Sequence, residues 1–305
     1  MSATSTQEKQ AQESVTTPRR SGGAVSDRPR LRRRLPWIAL ALFLAGLAVL
    51  WIYPFLWMLS ASLKTSAEMF AGGLSLIPEN LVFENYSRAW TAGNFRMYLL
   101  NTVIVTFTVT AMVIIRCALA GYVLGRYKFP GSRLIIVILI ATLFVPTGYT
   151  IIPVVQISLQ LGLLNTLWGM ILALAGGANV ASILIYAGYF RNMPAELEEA
   201  AIVDGAGFFR TFSRIMLPLS MPVTATVGIL TFLFTWNAFF LPLVFSFSNP
   251  ALRTVSVGMQ AFVGENSTDW SGMAAAGVIS LLPILIIFAF MQRYFVEGIA
   301  GAVKS

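Results

Sequence analysis

The sequence predicts an all-α integral membrane protein with six transmembrane helices and both termini in the cytoplasm. Of its 305 residues, 57% are hydrophobic and 11% are charged, and the mean hydropathy is +0.75. Soluble domains carry about 25% charged residues, so most of this chain is suited to lipid. Helices are expected because an open sheet would leave backbone polar groups unpaired in hydrocarbon.

Six apolar runs are long enough to cross a bilayer, which takes about 20 helical residues for roughly 30 Å of hydrocarbon. They contain no Asp or Glu, and Arg116 is the only charged residue away from their ends. The predicted spans are about 36–59, 97–123, 134–156, 167–190, 222–247 and 275–294.

The distribution of Lys and Arg predicts the orientation, because cytoplasmic loops of membrane proteins carry more of them than external loops. With both termini inside, the cytoplasmic segments hold 16 of the 21 Lys and Arg residues, and the external segments hold four. The segment 191–221 is therefore predicted to be a cytoplasmic loop and the segment 248–273 an external loop.

Residues 1–35 are predicted to form a disordered, Arg-rich cytoplasmic tail. Residues 1–27 are rich in Ser, Thr and Gln and contain no aromatic residue, which is typical of disorder. The RPRLRRR run at 28–34 lies next to the first apolar run, where positive charge is attracted to anionic membrane lipid. This attraction explains the net charge of +8 better than nucleic-acid binding, which we do not expect.

The composition argues against catalytic or metal chemistry. The chain has no His and a single Cys, Cys117, so neither a metal site nor an internal disulfide is expected. It also lacks the G-x-x-x-x-G-K-[ST] loop that cradles nucleotide phosphates. We therefore predict a chain that is not an enzyme and binds no cofactor, and any ATP-driven work would need a partner ATPase.

The cytoplasmic loop has the pattern of two short helices joined by a turn. Pro194 suits a first helical turn, and the three glutamates after it are favourable at the positive end of a helix dipole. Gly205 is expected to end this helix, because Gly readily adopts the left-handed conformation. A second amphipathic helix is predicted over Phe208–Leu217, ended by Pro218. An amphipathic hairpin resting on the membrane surface is the simpler interpretation of such a pattern.

The residues E-A-A-x-x-D-G-A at 199–206 resemble the EAA signature of carbohydrate-class ABC-importer permeases. The C-terminal Q-R-Y-F-V-E-G-I-A-G-A-V-K-S at 292–305 is similar to that of the maltose-type second permease, a binding-protein-dependent transport inner-membrane component. The resemblance implies the ABC-importer permease fold, with a six-helix transmembrane domain over 36–305 and a core of about 95–293.

In that family the EAA helices sit in a cleft of an ATPase subunit, so the resemblance implies that residues 191–221 form a coupling loop. The implied coupling residues are Glu198, Glu199, Ala200, Ala201, Asp204, Gly205, Ala206, Leu217 and Pro218. The implied tail between the ATPase subunits is Gly301, Ala302, Val303, Lys304 and Ser305. The implied contacts of the external loop with a sugar-binding protein are Arg253, Gln260, Glu265, Asn266, Asp269 and Trp270.

The resemblance implies a permease subunit of an ATP-driven, binding-protein-dependent sugar importer, for an oligosaccharide, in a bacterial cytoplasmic (inner) membrane. Its partners would be a second, unlike permease, two ATPase subunits that hold ATP and Mg, and an extracytoplasmic sugar-binding protein. Gln156 and Asn237 are polar within predicted spans, where polarity is costly. They either line the sugar path or join helices by hydrogen bonds.

Two other functions stay open at the level of the sequence. A glycerol-phosphate importer has permeases of the same family, but a path for an anion would favour several basic side chains, and only Arg116 lies within a span. A solitary ion-coupled carrier would need acidic residues in mid-membrane and related halves. The absence of Asp and Glu from the predicted spans argues against the carrier.

Overall fold

The computed structural model describes residues 30–303 except for 74, 92, 93, 178, 265 and 266, and it describes no side chains for 30–35, 147, 291 and 293–303. Within the described residues, extended structure is limited to one antiparallel bridge between Val263 and Thr268. The predicted all-α architecture is therefore confirmed. Several predicted features lie outside the described residues, namely the N-terminal tail up to residue 29, Glu265, Asn266, Lys304 and Ser305.

Two long helices dominate the first half of the chain. The first helix and the fourth each have 32 residues, which at 1.5 Å per residue gives about 48 Å, more than a bilayer needs. The bounds are Arg30–Ala61 for α1, Ser66–Ala71 for α2, Glu84–Thr91 for α3 and Phe95–Arg126 for α4. Among the described residues, those up to Tyr53 belong to one compact unit and those from Pro54 onwards to a second. The packing described below belongs to the second unit.

The second half of the chain contains shorter helices and one long C-terminal helix. The bounds are Ser132–Thr142 for α5, Ile151–Gln160 for α6, Leu167–Gly176 for α7, Val180–Arg191 for α8, Glu196–Val203 for α9, Phe208–Thr211 for α10, Leu217–Leu219 for α11, Met221–Trp236 for α12, Phe240–Phe245 for α13, Val255–Gly258 for α14 and Trp270–Val303 for α15. Three 3₁₀ turns cover Thr147–Thr150, Pro250–Leu252 and Met259–Phe262, and a π-helical turn covers Phe212–Met216.

Three stretches of the described residues are long and apolar enough to cross a membrane as single helices, and two bent pairs would bring the number to five. The single helices are Pro36–Ala61, Phe95–Arg126 and Trp270–Phe290. The bent pairs are α7 with α8, at 56°, and Phe208–Leu219 with α12, at 79°. The prediction of six spans is thus neither met nor excluded by helix length alone.

The predicted span 134–156 differs from the structure, because α5 ends at Thr142 and α6 begins only at Ile151. Pro146 explains this break, since it has no backbone N–H to donate and disfavours the helical conformation of Val145. The predicted spans 167–190 and 222–247 are also interrupted, because α7 ends at Gly176 and α12 ends at Trp236. Apolar composition therefore located the membrane-length runs but not the helix breaks inside them.

The core of the second unit forms around α4, which packs against α7, α8 and α12. Two glycines let the backbones of α4 and α8 approach each other. A Cβ on Gly121 would overlap the Cβ of Tyr186, and a Cβ on Gly125 would lie 2.6 Å from the carbonyl oxygen of Ala187. Small residues serve this purpose widely in membrane helix pairs, where van der Waals packing stabilises association.

Replacing Gly121 with Ala should destabilise the protein by about 1–3 kcal/mol, because the added methyl group forces α4 and α8 apart. Gly188→Ala is the matched control, because a Cβ at this exposed position of α8 meets no atom within 4 Å. The control should be neutral or stabilising by about 0.5–1 kcal/mol, since Ala favours a helix interior. Thermal unfolding of the purified protein in detergent would measure both, and equal midpoints would contradict the close packing.

Candidate functional site

The loop at 191–221, which is predicted to be cytoplasmic, contains the predicted first helix, α9, and ends it as the sequence predicts. Gly205 has φ +76°, and its N–H donates to the carbonyl of Ile202 at 2.9 Å. The N–H of Ala206 donates to the carbonyl of Ala201 at 2.8 Å. These two hydrogen bonds form a Schellman motif, in which a left-handed glycine satisfies the last carbonyls of a helix. The predicted Asp204–Gly205 turn is confirmed.

The second helix of the loop is longer and less regular than the predicted Phe208–Leu217. It runs from α10 through the π-helical turn into α11, and so passes Pro218, which was predicted to end it. The N–H of Leu217 donates to the carbonyl of Phe212, five residues earlier. A proline inside a regular α-helix clashes with the carbonyl four residues before it, and the wider π turn accommodates this proline.

Glu198 points inward and joins the loop to the C-terminal end of α4. Its Oε2 accepts a hydrogen bond from Nε of Arg126 at 2.6 Å. Its Oε1 accepts from the hydroxyls of Tyr122 and, at 3.2 Å, of Tyr127. Nη1 of Arg126 also donates to the carbonyl of Met193 at 2.8 Å. We call Tyr122, Arg126, Tyr127 and Glu198 the loop anchor.

The loop anchor keeps Glu198 ionised. Burial by itself would raise the pKa of Glu198, but hydrogen bonds from Tyr122 and Arg126 and the positive charge of Arg126 outweigh burial and hold the pKa below its ordinary value. The side chains of Arg126 and Glu198 are 10% and 13% exposed. This ion pair is therefore largely shielded from solvent, where the loss of either partner is costly.

Aromatic rings pack around the loop anchor and hold both loop helices against α4 and α8. Tyr122 lies at the centre of the group, with ring centroids 5.4 Å from each of Phe190, Phe208 and Phe212. Phe190 and Tyr122 are fully buried. The loop is thus packed into the protein rather than resting on a membrane surface.

The opposite side of the loop is exposed and partly apolar. Ile202 is 66% exposed, Val203 87% and Phe209 72%, and Glu199 and Ala200 are exposed beside them. We call these five residues the loop tip. The predicted coupling residues therefore fall into three groups by their exposure to solvent. The exposed ones are Glu199, Ala200, Asp204, Gly205 and Pro218. Ala206 and Leu217 are half-buried, and Ala201 and Glu198 face inward.

The residues Arg126, Tyr122 and Tyr127 were not predicted from the sequence as partners of the loop, nor was the apolar part of the loop tip. The G-Y-V-L-G-R-Y pattern at 121–127 places two tyrosines and an arginine at the end of a helix. That pattern shows polar side chains at the end of α4, but it does not show which of three glutamates they bind.

The described part of the segment 248–273, which is predicted to be external, folds back onto the protein. Asp269 accepts two hydrogen bonds from Arg88, at 2.8 and 3.0 Å, and one from the N–H of Gly272 at 2.9 Å. This carboxylate therefore fixes the start of α15. The predicted partner contacts Gln260 and Trp270 are exposed, while Arg253 and Asp269 are half-buried.

The two predicted path residues are both exposed in this chain. Nδ2 of Asn237 donates to the carbonyl of Leu233 in its own helix, at 2.8 Å. This bond ends α12 and does not join neighbouring helices. The backbone of Gly301–Val303 continues α15 to its end.

Comparisons with known proteins agree with this architecture. Residues 117–301 match the family described as binding-protein-dependent transport system inner membrane component. The chain belongs to this family. The family resemblance predicted from the EAA signature is confirmed.

Relatives of this permease match nearly its whole length. It is 37% identical to the probable ABC transporter permease protein YurM of Bacillus subtilis, over 92% of this chain and 93% of that one. It is 36% identical to the diacetylchitobiose uptake system permease protein NgcG of Streptomyces coelicolor, over 85% and 86%. The crystal structure of a bacterial ABC transporter involved in the import of the acidic polysaccharide alginate contains a chain of the same fold, with TM-score 0.76, 24% identity, and coverage of 88% of this chain and 98% of that one.

Replacing Glu198 with Gln should destabilise the permease by about 1–3 kcal/mol at neutral pH, because Arg126 loses its buried anionic partner. The ionised form of Glu198 is stabilised by folding, so this difference should be full above the ordinary pKa of 4.5 and should shrink as the pH falls further. Thermal unfolding in detergent at pH 7 and pH 4 would measure the difference. Glu199→Gln, at an exposed position, should change the midpoint little at either pH.

Replacing Gly205 with Ala should destabilise the loop by about 1–2 kcal/mol, because a left-handed conformation is unfavourable for a residue with a Cβ. The cause is backbone strain alone, since a Cβ at this position meets no atom within 4 Å. Gly205→Asn should cost less, because Asn tolerates this conformation. Gly207→Ala is the control, with φ −78° and open space around it, and hydrogen exchange of residues 196–207 would rank the three variants.

Proposed function

We propose that this permease is the membrane subunit of an ATP-driven sugar importer and that the loop tip docks into a cleft of a separate ATPase. The observation that carries the proposal is the two-sided loop. One side is fixed to α4 by the loop anchor, while the other presents Ile202, Val203 and Phe209 to solvent. An exposed apolar group of this kind, beside charged residues, is typical of a protein-protein contact.

The proposed mechanism transmits movement of the ATPase through the loop to α4. A displacement of the loop tip moves α9, and α9 carries Glu198. Because Glu198 is bonded to Arg126 and Tyr122, the cytoplasmic end of α4 moves with the loop. The permease itself supplies no catalytic group in this mechanism, and ATP and Mg are held by the ATPase.

The proposed assembly contains this chain, a second and unlike permease, two ATPase subunits and an external sugar-binding protein. We place both termini and the coupling loop in the cytoplasm, with six membrane crossings, in agreement with the Lys and Arg distribution. The external loop would contact the binding protein through exposed residues such as Gln260 and Trp270. The C-terminal residues 301–305 would reach between the ATPase subunits.

A sugar, and specifically an oligosaccharide, is the solute that the resemblance and the relatives support best. NgcG is named as part of a diacetylchitobiose uptake system. A glycerol-phosphate importer is the second candidate, and it is less well supported because Arg116 is the only basic residue away from the ends of the predicted spans.

The proposal predicts that Val203→Glu abolishes ATPase binding without unfolding the permease, because a charge replaces the most exposed apolar side chain of the loop tip. The tagged permease would be isolated from its native membrane, and its partners would be identified by mass spectrometry. Val263→Glu is the matched control, since Val263 is 57% exposed in the external segment, and it should retain the ATPase. Recovery of the wild-type chain alone, or full retention of the ATPase by Val203→Glu, would contradict the proposal.

A further inference from the structure

The break between α7 and α8 lies inside a predicted membrane span, and Arg116 of α4 lies beside it. Nη2 of Arg116 donates a hydrogen bond to the carbonyl oxygen of Gly177 at 2.7 Å. Gly177 has left the helical conformation, with ψ 155°, and Asn179 has φ +44°. The chain therefore exposes irregular backbone and a full positive charge at the same place.

Neither feature is compatible with direct contact with lipid. Irregular backbone occurs at membrane depth only where it is buried in protein or lines a water-filled cavity. A charged side chain in a span faces the interior of a bundle or such a cavity. Both Gly177 and Arg116 are exposed in this chain, so the protein packed around them does not supply the burial.

A hydrogen bond to the carbonyl of Gly177 holds the side chain of Arg116 at the break between α7 and α8. Arg116 lies ten residues before Arg126, the last residue of α4, which is about 15 Å along the helix. Its guanidinium donates a hydrogen bond across to the broken helix pair. Arg116 takes part in neither of the two ion pairs found among the described residues.

We infer that Arg116 and Gly177 line the water-filled passage of the transporter, and that Arg116 donates hydrogen bonds to oxygen atoms of the passing solute. The guanidinium has five N–H donors in a fixed fork, and the carbonyl of Gly177 engages one of its two terminal nitrogens. The inference rests on the proposed function and deepens it, because it names residues that line the passage and one residue, Arg116, that contacts the solute. Hydroxyl-rich or acidic solutes supply the acceptors that such a fork binds.

Thiol labelling of the intact complex tests whether water reaches the surface formed by Arg116 and Gly177. The single native cysteine, Cys117, is fully buried and would be replaced by Ala. Gly177→Cys places a thiol on the passage wall and keeps Arg116, because a Cβ there meets no atom within 4 Å. Ile138→Cys is the control on α5, where the side chain is 54% exposed among other exposed apolar residues.

A membrane-impermeant anionic methanethiosulfonate should label Gly177→Cys at least about tenfold faster than Ile138→Cys, because a thiol in lipid does not form the reactive thiolate. Arg116→Cys, in the same background, should also be labelled faster than the control. Equal rates at all three positions, or no labelling at 177 and 116, would overturn the inference.

The charge of Arg116 should be visible in the choice of reagent. Gly177→Cys should react several-fold faster with the anionic reagent than with a cationic one, and Arg116→Gln should remove this preference while leaving the thiol accessible. An unchanged preference would show that the charge does not face the passage. If the complex retains its ATPase while residue 177 stays unlabelled, the assignment of the passage is wrong and the proposed function stands. If the wild-type permease is isolated without an ATPase, the proposed function itself is contradicted.

Discussion

The close approach of α4 and α8 is the constraint on which the second unit depends. Gly121 and Gly125 allow the two backbones to pack directly, because any Cβ there would meet Tyr186 or Ala187. In lipid, the hydrophobic effect does not drive helices together, so tight van der Waals packing stabilises such a pair. Once α4 is packed against α8 in this way, both of its ends and its middle have fixed positions relative to the rest of the second unit.

Each part of α4 serves a different region of the permease. The C-terminal end carries Arg126, which holds the proposed coupling loop, and the middle carries Arg116 beside the broken helix pair. At the N-terminal end, Nδ2 of Asn101 donates to the carbonyl of Ala251 at 2.7 Å, and the hydroxyl of Thr102 accepts from the N–H of Val255 at 2.8 Å. One helix therefore contacts the loop proposed for the ATPase, the proposed passage and the external segment.

The main effect of the loop anchor is to fix the orientation of the loop relative to α4 and not to add net stability. A shielded ion pair gains little over an apolar contact of equal volume, because both charges lose their hydration. Glu198 offsets that loss with hydrogen bonds to two tyrosine hydroxyls, which hold the carboxylate in one orientation. Such a rigid link suits the proposed role of the loop, which is to transmit movement to a helix.

The sequence by itself determined the all-α class, the membrane-length apolar runs, the Gly205 turn and the family. These depend on composition, on local backbone preference and on a contiguous motif, all of which act over short distances along the chain. The tertiary structure decided where the runs break and which glutamate of the loop faces inward. Gly177 can leave its helix because Arg116, 61 residues earlier, satisfies its carbonyl, and Glu198 differs from Glu199 only because Arg126 lies next to it.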